Sequence, residues 1–311
     1  MIDIVITNYN NGELLTRCLE SVASQTLISN IRVILIDDFS SDGSAERAER
    51  MFNWLCGSDI IVIYNESNFG CGMARRVGIH KALEFDDSEY TMFLDGDDEI
   101  TPDVVEAMYI SAKKNDADIS VCKVRFVGGE SDCKTHDLGE PGVIGVDEFK
   151  RRELGKLCGF INNMLIRTSL WRSVEYSSLR YIEDWPTKMR LLHYVGRIVV
   201  TDAGYYLYNH NVNSLTKTCS NTKHVIYTAL SMIEVCDFYK SIGDIKGYET
   251  FLYPIWLCVY TLRQRIDEVL NDWFDEIDTI SRWCEINLEG YGDKDKSEKQ
   301  GEIQRYEEKD G

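Results

Sequence analysis

The feature that most constrains this chain is a unit repeated four times within residues 1–118, a short β-branched run followed by a segment patterned as a helix. IDIVIT (2–7) leads into a stretch with Leu14, Leu15, Cys18, Leu19 and Val22 at helical spacing. IRVILIDD (31–38) leads into SSDGSAERAERMF, whose Ser and Asp residues are helix caps. DIIVIYN (59–65) leads into MARRVGIHKALEF, and YTMFLDGDD (90–98) into TPDVVEAMYISAKKN, with Pro102 in its first turn. Strand–helix alternation with short connections dictates parallel strands and right-handed crossovers. In such sheets ligands bind at the carboxyl ends of the strands. The polar clusters fall at those ends, at residues 7–11, 37–44, 65–72 and 95–98. Four polar loops on one rim make a binding site by position alone.

Beyond residue 118 the pattern loosens. ADISVCKVRFV (117–127) reads as a strand, SDCKTHDLGEPGVIG (131–145) as a turn-rich loop and residues 160–167 as a strand. RIVVTDAGYYLYNH (197–210) reads as two strands separated by residues 202–204. Residues 224–288 are helical in pattern and carry Trp256, Trp273 and Trp283, and 290–311 is a charged tail. The expected domains are therefore 1–220, with a donor half to about 118 and an acceptor half after it, a helical region 221–290 and a tail 291–311.

Composition narrows the function classes. The 311 residues are 44% hydrophobic and 28% charged, with 4 Pro and 22 Gly, which excludes collagen-like, disordered and disulfide-scaffold chains. A net charge of −18 gives no general attraction to nucleic acid or to an anionic membrane face. Ten Cys show no CxxC pair and no zinc spacing, and Cys18, Cys122, Cys236 and Cys258 lie in apolar runs. They are expected to be reduced, packed thiols. The longest apolar stretch, 251–262, is about 12 residues and contains Pro254, short of the ~18–20 of a membrane span. With no basic-then-apolar leader, the chain is expected to be soluble and cytoplasmic.

Four constellations carry chemistry. FLDGDD places Asp95, Asp97 and Asp98 at the end of an apolar strand, where their repulsion calls for a compensating cation. A hard divalent ion bridging a carboxylate to a diphosphate is one reading, and an acidic turn capping a helix at Thr101 is the other. Asp37 and Asp38 end a buried strand and can accept hydrogen bonds from a base or ribose, or else Ser40, Ser41 and Asp42 cap the following helix. In NFGCGMARRVGI, Gly70 and Gly72 allow close backbone approach, and Arg75 or Arg76 can meet a phosphate or clamp the Asp cluster. The spacing is neither a dinucleotide fingerprint nor a Walker loop. Glu183–Asp184 opens a helix, so the pair is either a cap or a general base. His210 stands alone, a structural residue or a ligand.

In order, VITNYNNGELLTRCLESVASQT, VILIDDFSSDGS, NFGCGMARRVGI, FLDGDD, IED and YNHNVNSLT resemble the inverting glycosyltransferase family 2, over residues 2–216. The resemblance implies the GT-A fold: a Rossmann-like α/β, mixed and mostly parallel sheet flanked by helices, with a helical C-terminal extension. It implies a UDP-sugar donor, Mn²⁺ or Mg²⁺, and a saccharide or lipid-linked acceptor of the surface-polysaccharide type. Thr7, Tyr9 and Asn10 are then expected to line the nucleoside pocket, with Asp37 or Asp38 on the uracil edge. Asn68, Gly70 and Arg75 are expected along the ribose and diphosphate rim, and Asp95 with Gly96 at the ribose or sugar. Asp97 is expected to bind the metal with help from Asp98 and His210. Asp184 matches the catalytic base and Glu183 its neighbour. Two departures stand out: relatives commonly carry Arg at the position of Asn209 and Asn at that of Arg76, so Arg76 is placed to restore the missing charge. A third lies in INNMLIRTSL, where relatives often have a Lys, on the acceptor side.

Two other readings compete. A modified nucleic-acid base as acceptor is disfavoured by the charge of −18 and by the lack of a basic arm. A binding module without turnover is disfavoured by the presence of both the Asp cluster and Glu183–Asp184. Tyr253, Trp256, Tyr260 and Trp273 of the helical region either pack internally or form a homo-oligomer surface.

Overall fold

Order in the sheet follows from which strands are apolar on both faces. The computed structural model describes residues 1–57, 60–129, 134–136, 138–154, 160–211, 221–263 and 274–288. They form two units, Met1–Cys219 and Ser220–Gly311. In the first, β1 (Ile2–Asn8), β2 (Ile31–Asp37), β3 (Ile61–Tyr64) and β4 (Tyr90–Asp95) are parallel, in the order β3-β2-β1-β4. Residues of one strand alternate between two cores, Ile2, Ile4 and Ile6 on one face and Val5 on the other.

Helices cover both faces. α1 (Glu13–Ala23), α2 (Ser44–Cys56) and α4 (Val104–Asn115) bury Leu15, Leu19, Phe52 and Met108 against the first face. α3 (Cys71–Leu83) buries Ala74, Ile79 and Ala82 on the second. The sheet continues from β4 through β9 (Met164–Arg167), β6 (Ile119–Val127), β10 (Ile198–Asn209) and β5 (Glu99–Ile100), with β7 (Thr135–His136) on β6 and β8 (Gly142–Ile144) on β10. β9 is antiparallel to both β4 and β6, which makes the sheet mixed. α5 (Val146–Leu154) and α6 (Asp184–Tyr194) complete this unit.

Three sequence expectations are corrected here. Residues 198–209 form one strand, because the register shift between Val200 and Tyr205 absorbs 202–204 as an irregularity while β6 pairs both halves. The helix after the acidic turn starts at Val104, since Glu99–Ile100 pairs with β10 first and leaves Thr101 and Pro102 ahead of the helix. The strand expected over 160–167 begins only at Met164.

The second unit contains α7 (Asn221–Ser241), α8 (Ile245–Arg263, with Pro254 inside) and α9 (Phe274–Asn287). Ile226, Ile233, Cys236, Ile255 and Ile280 are buried there, and Trp283 Nε1 donates to Asp237 at 2.8 Å. The side chains of Tyr253, Trp256 and Tyr260, all of Trp273, residues 212–216 of the last motif and the tail from 289 onward lie outside the described residues. Among the described residues no helix is long and apolar enough to cross a membrane, and the seven described cysteines are free.

Gly78 shows how tightly α3 lies on β1: a Cβ there would sit 2.2 Å from Val5 Cγ1. Gly78→Ala is therefore expected to destabilise by roughly 1–2 kcal/mol, against the gain Ala usually brings to a helix. Urea unfolding checks this, and Val5→Ala in the same chain should recover most of the loss.

Candidate functional site

The order of strand addition reverses between β1 and β4, and a crevice opens at such a switch point outside the carboxyl ends. Register pairs Thr7 with Asp95 across it, and Asn8 with Asp37 on the other side of β1. Gly96 N donates to the Thr7 carbonyl at 2.9 Å, and a Cβ on Gly96 would lie 2.8 Å from that oxygen and from Asn11 Nδ2. The turn closes this tightly only with glycine.

The two carboxylates ending β2 shape the rim. Asn8 Nδ2 donates to Asp37 Oδ1 at 2.7 Å and to the Ser40 and Ser44 hydroxyls, while Ser40 N donates to Asp37 Oδ2 at 2.9 Å. Asp38 accepts from Asn65 Nδ2, Phe69 N and Gly70 N at 2.8, 3.1 and 2.8 Å, so it holds the loop before α3. Both aspartates are buried. Above them Tyr9 is half exposed, and Asn10, at φ 52°, accepts from Ser41 N. Asn68 accepts from Arg180 at 3.1 Å.

At the acidic turn the three aspartates differ. Asp95 Oδ1 accepts from Arg75 Nη2 at 2.7 Å and from Thr7 Oγ1 at 3.3 Å, and Oδ2 accepts from Asn162 Nδ2 at 2.8 Å. Asp98 is buried; its oxygens accept from the Tyr206 hydroxyl at 2.6 Å and Asn209 N at 2.8 Å. Burial, then the neighbouring Asp97 and Asp95, raise it well above the carboxylate range. Asp97 is partly exposed, and Asn211 Nδ2 takes one of its oxygens at 3.0 Å. Burial and Asp95 raise it too. His210 is exposed, its N–H donating to the Val127 carbonyl and its ring lying on Gly129. Among the described residues no group of three or more His, Cys, Asp or Glu side chains is placed to hold a metal ion.

A single guanidinium joins this turn to the start of α6. Arg75, 2% exposed, donates through Nη1 to Glu183 Oε1 at 3.0 Å, to Asp184 Oδ1 at 2.5 Å and to the Tyr176 hydroxyl at 3.1 Å, while Nη2 holds Asp95. Burial opposes the charge on Arg75, but Asp184 and Asp95 outweigh it and raise its pKa well above the usual arginine value. Close approach is permitted by Gly72, where a Cβ would meet the Ser177 carbonyl at 2.6 Å and Glu183 Cγ at 2.9 Å. Ile182, a β-branched residue, sits at φ 58° immediately before the pair. Such a conformation persists only where the surroundings impose it.

Three carboxylates on one cation leave the cluster short of positive charge, and a retained proton relieves it. Burial pushes Glu183 up to about 8, with Asp184 adding to the rise and Arg75 opposing it. Asp184 is raised as well, chiefly by burial. The folded protein thus holds a proton on Glu183 that the unfolded chain loses at its ordinary value of 4.5, and stability falls as pH rises from there to about 8. Urea unfolding across this window is expected to show wild type losing stability relative to Glu183→Gln; parallel pH dependences would contradict it.

The structure thus brings Thr7, Arg75, Asp95, Gly96, Glu183 and Asp184 together, while Asp37, Asp38, Asn10, Asn68 and Gly70 line the neighbouring rim. Arg75 contacts the carboxylates of Asp95, Glu183 and Asp184. Arg76, partly buried, forms an ion pair of 2.7 Å with the exposed Glu175. The Asn209 side chain donates to the Asp97 carbonyl and to Glu99. No role is read from the sequence for Asn8, Asn162, Tyr176 or Tyr206: Asn8 lies within the 7–11 polar cluster and Asn162 within INNMLIRTSL, but nothing local to any of the four points to the aspartate it meets.

The sequence profile of Glycosyl transferase family 2 matches residues 3–173, more than half of the chain, and the chain belongs to that family. It is 26% identical over 292 residues to glycosyltransferase GlyG of Streptococcus pneumoniae serotype 4, covering 88% of this chain and 87% of GlyG. It is 27% identical over 229 residues to the uncharacterized glycosyltransferase EpsJ of Bacillus subtilis, covering 70% of this chain and 63% of EpsJ. Among solved structures, S. aureus TarS 1-349 in complex with UDP-GlcNAc matches with a TM-score of 0.62 at 18% identity, covering 94% of this chain and 91% of that one. Against a longer TarS chain the coverage is 75% and 39%. The protein is a glycosyltransferase with the GT-A fold.

Proposed function

We propose that the protein moves a sugar from a UDP-sugar to a hydroxyl of a saccharide or lipid-linked acceptor, inverting the anomeric carbon and using Mn²⁺ or Mg²⁺. The observation that carries this reading is that Asp95, at the switch-point crevice, and Asp184 are held by opposite nitrogens of the Arg75 guanidinium. A donor seated at Asp95 then presents its anomeric carbon beside Asp184. The UDP-GlcNAc complex of the TarS neighbour supports the choice of donor class.

Asp184 is assigned as general base. Among the described residues both hydrogen bonds to its carboxylate end on Oδ1, and the side chain is 22% exposed, which leaves Oδ2 for an acceptor. Oδ2 takes the hydroxyl proton as the acceptor oxygen attacks from the face opposite UDP; the bond to the diphosphate breaks and its electron pair leaves on UDP. Asp184 ends protonated, and no enzyme nucleophile is required. Tyr9 and Asn10 are assigned to the nucleoside, with Asp37 and Asp38 shaping that pocket from below. Asn68 and Gly70 are assigned to the ribose and diphosphate rim.

Asp97 is the protein ligand assigned to the cation, with His210 on the diphosphate side. The fit rests on the Asp97 carboxylate, which is partly exposed, has one oxygen held by Asn211 and, among the described residues, is in no ion pair. One protein carboxylate would be enough to hold a hard divalent ion, which commonly keeps non-protein oxygens in its shell. When bound, the ion offsets charge on the departing UDP. Asp98 is assigned to bracing the turn against β10.

A thermal-shift and UDP-release panel of UDP-GlcNAc, UDP-glucose and UDP-galactose, with and without Mn²⁺, tests this. One donor should give a Mn²⁺-dependent shift. Asp184→Asn should lower UDP release roughly 10²–10⁴-fold and keep the shift, whereas Asp97→Asn should lose its Mn²⁺-dependent part. Full turnover in Asp184→Asn would overturn the assignment of the base.

A further inference from the structure

We propose that Tyr176 is a positioning residue for Asp184, its hydroxyl fixing which carboxylate oxygen faces the acceptor; this rests on the reading of Asp184 as base. Tyr176 lies in the connection ahead of α6. Its ring is 2% exposed, edge-on to Phe93 at 5.5 Å and stacked on Trp171 at 6.2 Å. Strand β4 and the 3-10 turn Thr168–Arg172 therefore hold the ring rigidly. The hydroxyl donates to Asp184 Oδ1 and accepts from Arg75 Nη1 at 3.1 Å.

Packing does not explain the hydroxyl. A phenylalanine would fill the same aromatic site, and burying a hydroxyl costs free energy unless it is bonded. The charged and titratable groups around Asp184 are Arg75 from α3, Asp95 from β4, Glu183 directly before it, Lys188 one turn on along α6, and Tyr176 itself. Arg75 divides its donors among Asp95, Glu183, Asp184 and the Tyr176 hydroxyl. The one proton of Tyr176 goes to Asp184 alone. Burial holds the Tyr176 hydroxyl well above the ordinary tyrosine value, so it stays a donor through neutral pH. By satisfying Oδ1, it leaves Oδ2 as the oxygen that meets the acceptor and favours the ionised form the base needs.

The test pairs Tyr176→Phe, which keeps the ring, with two readouts. In the free protein, the carboxyl ¹³C titration of Asp184, assigned with Asp184→Asn, should move up by about one pH unit in Tyr176→Phe. In turnover, UDP release from the UDP-sugar that wild type hydrolyses should fall on the acid side, recover toward wild type at higher pH, and keep its KM for the donor. An unmoved Asp184 titration overturns the proposal, whatever the rate does. 3-Fluorotyrosine at 176, a stronger donor of nearly the same shape, should move the titration the opposite way, and a shift in the same direction as Tyr176→Phe also overturns it. Full turnover in Asp184→Asn is a separate result: it removes the base and with it the purpose of the positioning, while the titration still reports whether Tyr176 holds Asp184.

Discussion

A guanidinium surrounded by three carboxylates and shut off from water must satisfy its charge locally, and the arrangement around Arg75 follows from that requirement. Its two terminal nitrogens point at elements distant in sequence, Asp95 at the end of β4 and the Glu183–Asp184 pair opening α6. Removing one partner of such a buried network typically costs about 3–5 kcal/mol, because the remaining charges lose both water and counter-charge. Arginine suits the position better than lysine, since a planar fork fixes direction as well as charge. The spacing of Asp95 and Asp184 is thereby set by one side chain rather than by two independent loops.

The neighbouring carboxylates fall into two groups by what they touch. Asp37, Asp38 and Asp98 spend their oxygens on loop backbone, Asn and Tyr side chains, and so build the walls of the crevice. Asp97 and Asp184 keep capacity facing outward. Loops assembled this way are expected to stay put when a ligand arrives, which lowers the ordering cost of binding.

How much of this was legible in the chain depends on the range of the interactions. β-Branched runs ending in polar clusters marked the strands and the rim, because both signals are local. Six short motifs in order sufficed for the family and the fold. The division of labour among the aspartates was not legible, because it is decided by Tyr206, Asn209 and Asn162, residues that sequence separates from the acidic turn by about seventy to a hundred and ten positions. The same is true of Arg75, which reads equally as a phosphate ligand or a clamp until Tyr176 and Glu183 are seen beside it. Continuity of β10 was hidden by 202–204, which look like a turn until both halves are found paired with β6.

The most direct test of the shared guanidinium is turnover of the wild-type UDP-sugar by Arg75→Lys, with folding checked by thermal unfolding. Lysine keeps the charge but cannot hold Asp95 and Asp184 in one plane, so a folded variant with at least a roughly hundredfold loss in UDP release is predicted. A folded Arg75→Lys protein with wild-type turnover would show that positive charge alone suffices and that the fork does not set the site.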